Sequence, residues 1–200
     1  MGLFFLIFVK NYIMKIGING LGRIGRTLLK TCIYRGGIDV ISINEPADNH
    51  TIAHLLKYDS IHGKFDGNIV ASEDGIYINN VFIKVTHHYK IDQLNWSSPQ
   101  VDAVVECTGI YLDSKSANEH LNLGAKKVIL SAPPKDAHIK SVVLGVNDDI
   151  LNANDLIISN ASCTTNSAAP LLKILDDLWQ VNAAFISTTH SYTGDQRLID

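Results

Sequence analysis

The chain has 200 residues, 46% hydrophobic and 18% charged, enough apolar matter for one packed domain or one and a half and too much for a disordered chain. Seventeen Lys and Arg against 20 Asp and Glu leave a formal charge of −3, and no basic tract or sign-segregated block marks a nucleic-acid or membrane partner. Three cysteines (Cys32, Cys107 and Cys163) without a CxxC pair argue against a disulfide scaffold or a structural zinc site and suit a reducing, cytoplasmic setting.

In chain order, residues 1–13 stand apart. The apolar run from Leu3 to Val9 is far short of the ~20 residues that span a bilayer. Lys10 follows that run, whereas a signal peptide carries its charge in front. Met14 is therefore the expected start, with 1–13 an upstream extension. Residues 15–19 read as a short apolar strand. Glycines follow, then a helix over about 23–34, where Ile24, Leu28, Leu29 and Cys32 recur at helical spacing. A second strand at 39–44 is entered through Gly36-Gly37, and a helix at 48–57 has Asp48 able to cap it. Turn signals at Asp74-Gly75 and Asn79-Asn80 divide residues 69–86 into antiparallel hairpins.

Compact β-branched runs lie at 101–106, 127–130, 141–143 and 156–159, with a helix at 114–122 between the first two. Alternating strands and helices imply parallel strands joined by right-handed crossovers. The fold class is thus α/β: a doubly wound Rossmann sheet over 14–160, followed by the beginning of an α+β catalytic domain at 161–200. A last strand is expected at 183–191, carrying Phe185 and Ile186.

Gly20-Leu21-Gly22-Arg23-Ile24-Gly25 is a GxGxxG turn placed between strand and helix. Gly20 permits the tight turn, Gly22 admits a pyrophosphate, and Gly25 lets helix and strand pack closely. The motif alone is weak, since such turns also occur for conformational reasons. Glu45, 20 residues beyond Gly25, adds the acid that accepts ribose hydroxyls and repels a 2′-phosphate. NAD is therefore expected over NADP.

Ser159-Asn160-Ala161-Ser162-Cys163-Thr164-Thr165-Asn166 follows a strand and opens an apolar helix that Pro170 should kink or whose regular hydrogen bonding it should delay. A thiol at a helix amino end meets unpaired N–H groups that favour thiolate, and those groups can also stabilise an oxyanion. A lone cysteine is more often buried packing, but the polar neighbours argue against a dry core. His190, 27 residues later at an expected strand end, could share a proton with it, although spacing alone cannot show contact. His54, His120 and His138 read as helix or surface histidines, and Cys32 and Cys107 as structural. His87-His88 gives no metal site, because adjacent side chains in a strand point to opposite faces.

These strings, together with Lys15-Ile16-Gly17-Ile18-Asn19 ahead of the glycine turn, Leu55-Leu56-Lys57-Tyr58-Asp59-Ser60, Glu106-Cys107-Thr108-Gly109 and Thr189-His190-Ser191-Tyr192-Thr193-Gly194-Asp195-Gln196, closely resemble phosphorylating glyceraldehyde-3-phosphate dehydrogenase over residues 14–200. The resemblance implies Cys163 as nucleophile and His190 as base. It implies Ser162 and Thr164 holding substrate or attacking phosphate, and Thr193 holding the substrate's own phosphate. Arg23 and Ile24 match backbone contacts to the pyrophosphate, Tyr89 a position on the adenine side, Ser131 one near the nicotinamide, and Thr108 a lining of the same cleft. Glyceraldehyde 3-phosphate, inorganic phosphate, NAD, a homotetramer and a place in glycolysis and gluconeogenesis come with the family.

The chain departs from the family pattern at four points. Glu45 stands where Asp is usual, Pro46 follows it, and Ser167 replaces a frequent second cysteine. Family chains also run well beyond this length, so an incomplete catalytic domain is expected. Erythrose-4-phosphate dehydrogenase, and a shortened NAD-binding product without activity, stand as alternatives.

Overall fold

The computed structural model describes residues 13–191; nearly all of the expected extension, and Thr193, lie outside the described residues. β1 (Met14–Asn19) leads through the glycine turn into α1 (Arg23–Arg35), β2 (Ile38–Asn44) and α2 (Asn49–Lys57). A small antiparallel pair, β3 (Tyr58–Asp59) and β4 (Gly63–Lys64), precedes a meander of β5 (Ile69–Ser72), β6 (Gly75–Ile78) and β7 (Val81–Thr86). Then come β8 (Ala103–Glu106), α3 (Ser114–Asn122), β9 (Lys127–Leu130), β10 (Lys140–Ser141), β11 (Ile157–Ser159) and α4 (Cys163–Trp179).

Nine strands form one sheet in the order β10-β11-β9-β8-β1-β2-β7-β6-β5. It is parallel from β10 to β7 and antiparallel over the meander. The central strands are buried on both faces: Ile18 and Val104 are fully covered, and all of β8 lies inside. Such strands read as continuous apolar runs rather than alternating ones, as the sequence does here. Asn79 and Asn80 turn the β6–β7 hairpin at φ +49° and +68°, conformations asparagine tolerates better than most residues. Asp48 caps α2 by accepting the amides of His50 and Thr51.

The mainly parallel α/β sheet is the expected fold class. Three sequence-based expectations need correction. The strand placed at 141–143 is registered only at Lys140–Ser141: the Val142 amide still bonds Ser159 O at 2.8 Å, and from Val143, whose carbonyl accepts the Val146 amide at 3.0 Å, the chain turns. Residues 183–191 form no ladder: no strand among the described residues lies beside them, and Phe185 is 93% exposed. His87-His88 lies beyond the end of β7, so the alternation of a strand does not apply to it. Across Pro170 the helix α4 continues without a break. Among the described residues no helix is long and apolar enough to cross a membrane.

A second apolar cluster packs Trp96 with Leu94, Val101, Val104 and Ala125. The indole lies so close on Gly17 that a Cβ there would stand 2.7 Å from it, and its N–H donates to His120 Nδ1 at 3.0 Å. Trp96→Phe removes the donor and leaves a void. Its expected cost is about 2–3 kcal/mol, measurable by urea unfolding.

Candidate active site and dinucleotide crevice

Open parallel sheets bind ligands at the carboxyl ends of their strands, where the strand order reverses. Here the chain passes from β1 to β2 on one side and later returns to β8 on the other, so the crevice lies over β1. Asn44, Asn19, Glu106, Leu130 and Ser159 stand in register there, closing β2, β1, β8, β9 and β11.

Gly20 leaves β1 at φ +89°, its amide on Asn44 O at 2.8 Å. A Cβ would stand 2.8 Å from Thr108 Cγ2, so only glycine lets the turn sit against Thr108. Gly25 is tighter still, since a Cβ would stand 2.2 Å from Gly20 O. Gly22 begins α1 with no side-chain cap and with open space where a Cβ would be, and Arg23 and Ile24 are exposed. The first-turn amides of α1 are therefore uncapped at an open surface, a fit for a pyrophosphate.

Glu45 accepts the Leu21 amide at 2.7 Å and the Ala47 amide at 3.3 Å, so the expected ribose ligand also braces the glycine turn. Tyr89, exposed, lines the crevice with Pro46, Thr108 and Tyr111, and the Tyr111 hydroxyl donates to Tyr89 O at 3.4 Å. Ser131 follows β9 with its amide on Glu106 O at 3.0 Å. These strand ends bring Gly20, Gly22, Arg23, Ile24, Glu45, Tyr89, Thr108 and Ser131 to one edge of the sheet.

Two strand spacings from β8, about 10 Å, β11 ends and the chain turns sharply. Ser159, fully buried, donates to Ala132 O at 2.8 Å and accepts the Ala161 amide at 3.0 Å. Ala161 sits at φ +57°, a costly conformation for a residue with a Cβ, found most at functional turns. Ser162 caps α4 by accepting the Thr165 amide at 2.9 Å and shares a bond with the Thr165 hydroxyl at 2.7 Å. Cys163 is the first residue of α4, exposed, with Thr164 beside it.

His190 Nε2 lies 3.0 Å from Cys163 Sγ, and its Nδ1 bonds Ser191 O. The Ser191 carbonyl holds a proton on Nδ1 and turns Nε2 toward the thiol. The His190 contact, with help from Thr164, pulls the Cys163 thiol below its ordinary value. The Ser191 bond and the thiol raise His190. The other cysteines move the opposite way: burial lifts Cys32, and lifts Cys107 to about 12. Iodoacetamide should therefore label Cys163 alone, with a rate that falls as pH drops through its lowered midpoint. His190→Asn should move that midpoint upward and slow labelling at neutral pH by about tenfold. Unchanged labelling would mean the helix end alone activates the thiol.

Several residues of the crevice escape a reading of motifs. Asn19, Asn44, Trp96, Glu106 and His120 form a polar chain beneath it, and His120, expected on a helix or at the surface, is a helix residue with no exposure at all. One signal was available. Both β1 and β2 end in Ile-Asn, and the two asparagines pair in register.

An open helix amino end at the switch point of a parallel sheet defines a dinucleotide-binding protein of the Rossmann type. Residues 14–114 match the glyceraldehyde 3-phosphate dehydrogenase NAD binding domain, and residues 162–200 match the C-terminal domain of the same enzyme. The chain belongs to the glyceraldehyde 3-phosphate dehydrogenase family. It is similar to the chloroplastic glyceraldehyde-3-phosphate dehydrogenase of Gracilaria gracilis, 45% identical over 94% of this chain and 46% of the relative. The enzyme of Priestia megaterium is 44% identical and glyceraldehyde-3-phosphate dehydrogenase 1 of Bacillus subtilis 41%, each over 94% of this chain and 56% of the relative. The chain spans about half the length of the curated relatives it matches.

Proposed function

We propose that this site serves the NAD-dependent oxidation and phosphorylation of glyceraldehyde 3-phosphate to 1,3-bisphosphoglycerate. The observation that carries the reading is the Cys163 Sγ to His190 Nε2 distance of 3.0 Å at the amino end of α4. Cys163 thiolate adds to the aldehyde carbon, and the first-turn amides of α4 face the oxygen that gains charge. The proton that His190 Nε2 took from the thiol passes to that oxygen to give the thiohemiacetal hydroxyl, and Nε2 takes it back as the carbon loses hydride, leaving a thioester on Cys163. Bound NAD supplies the hydride acceptor. An oxygen of inorganic phosphate then attacks the acyl carbon, and the C–S bond breaks to return the thiolate. Ser162 and Thr164 flank the sulfur and are the proposed holders of substrate and attacking phosphate; Thr193 is proposed for the substrate's own phosphate.

Gly20, Gly22, Arg23 and Ile24 would take the pyrophosphate, Tyr89 the adenine side, and Thr108 and Ser131 the nicotinamide half. A homotetramer, a cytoplasmic location and a place in glycolysis and gluconeogenesis belong to the same proposal. NADH formation from glyceraldehyde 3-phosphate and inorganic phosphate, compared with erythrose 4-phosphate, tests it. No NADH from the triose, or a preference for the tetrose, would overturn it.

The preference for NAD over NADP rests on Glu45. Glu45→Ala should weaken NAD binding by about 1–3 kcal/mol, since both a ribose acceptor and the brace on Leu21 are lost. The ratio of NAD to NADP affinity should also fall. Calorimetric titration with both nucleotides checks this, and an unchanged ratio would remove Glu45 from the ribose site.

A further inference from the structure

Glu106 closes β8 with its side chain fully buried, and nothing in the proposed chemistry uses it. The direction of each hydrogen bond around it follows from partners that bond in one sense only. The His88 amide donates to Asn44 Oδ1 at 3.0 Å, which leaves Asn44 Nδ2 to donate to Asn19 Oδ1 at 2.9 Å. Asn19 Nδ2 must then donate to Glu106 Oε2, at 2.6 Å. From the other side the Trp96 indole, a donor only, occupies His120 Nδ1 at 3.0 Å, so His120 Nε2 donates to the same Oε2, also at 3.0 Å. Oε1 accepts the Thr108 amide at 2.7 Å and the Thr108 hydroxyl, which in turn accepts the Ile110 amide at 3.1 Å.

Four donors thus converge on one carboxylate, and none is a lysine or arginine. A buried network with every member satisfied rigidifies what it holds. What this one holds is the crevice. Thr108 packs against Gly20 so closely that a Cβ on the glycine would fall 2.9 Å from the Thr108 amide nitrogen. On the far side, the His120 ring stands edge-on to Tyr111, centroids 6.3 Å apart, and Tyr111 bonds the carbonyl of Tyr89. Both walls of the crevice therefore register on the Glu106–His120 pair.

We infer that Glu106, anchored by His120, is a positioning residue for the dinucleotide: its carboxylate fixes Thr108 against the Gly20 turn and so sets the floor on which the cofactor lies. The inference rests on the dinucleotide reading of the crevice. It requires a carboxylate, not merely a polar group of that size. An amide offers one acceptor oxygen and turns two hydrogens outward, so in either orientation it faces at least one donor. The half-buried Thr108 is the partner that can give way toward water.

Glu106→Gln and two His120 variants test this in the full chain, with NAD as the probe. His120→Gln keeps a donor toward Glu106, and His120→Leu removes it. Glu106→Gln should raise the NAD dissociation constant of the folded protein at least tenfold and speed amide exchange at Thr108 at least tenfold, with β1 and β8 amides still protected. His120→Leu should weaken NAD binding severalfold, and His120→Gln should restore it. A purely structural role would lower the melting temperature of all three while leaving NAD affinity and Thr108 exchange of the folded protein unchanged, and that result overturns the inference. Should Glu106→Gln not fold, the contrast between the His120 variants decides: equal NAD affinity in both overturns it. Failure of the unaltered chain to bind NAD overturns the cofactor reading as well; NAD binding that the variants leave untouched overturns this inference alone.

Discussion

Under the proposed reaction, Cys163→Ser is expected to lower NADH formation from glyceraldehyde 3-phosphate by about 10⁴-fold or more, with little change in NAD binding. The sulfur is expected to be reactive because three local features act on one atom. It sits at the first turn of α4, where unpaired amides favour an anion. His190 lies at 3.0 Å to take its proton. It is also exposed, so the anion keeps access to substrate. A serine hydroxyl in the same place holds its proton far more tightly, and neither the helix end nor His190 brings it near ionisation at neutral pH. The crevice over β1 lies three strand spacings from β11 and does not depend on the sulfur, so binding and turnover should separate. Initial rates beside a calorimetric NAD titration measure both. A serine variant that turns over normally would take Cys163 out of the mechanism.

Gly25→Ala is expected to cost about 3 kcal/mol of stability and to weaken NAD binding at least tenfold. The added methyl would stand 2.2 Å from Gly20 O, a backbone atom that no rotamer change can move. Helix α1 must then shift away from the end of β1. That shift strains the Gly20 amide on Asn44 O, the Leu21 amide on Glu45 and the Arg26 hold on Leu21 O. All three fix the direction in which the first amides of α1 face. Thermal unfolding and NAD titration of the variant report the two effects. Wild-type stability would mean the helix and strand have slack that this packing does not show.

The elements that sequence places well are those whose causes are local. The helix over 114–122 and the hairpin at Asn79-Asn80 lie where capping and turn chemistry put them, with Asp113 accepting the Ser116 amide at the helix start. The strand expected at 183–191 fails for the opposite reason. Its apolar residues suit a strand, but a strand exists only when another lies beside it, and among the described residues none does.

The candidate site divides along the same line. The glycine turn, Glu45 and the Cys163 and His190 strings are readable in sequence because each is a short run whose residue types state the chemistry. That Cys163 and His190 touch, though 27 residues apart, is a result of folding. So is the carboxylate beneath the crevice. Asn19 and Glu106 are 87 residues apart and meet only because β1 and β8 pair in parallel register. His120 is equally silent in sequence, a single histidine on a short helix without a ligand-spaced neighbour. Burial against Trp96 and Glu106 decides which of its nitrogens donates. The sequence by itself thus determined the fold class and singled out the glycine turn and the Cys163 thiol as candidates, because local spacing and residue chemistry suffice for these. Only the tertiary structure decided how the crevice is held, because a buried hydrogen-bond network depends on which distant strands lie side by side.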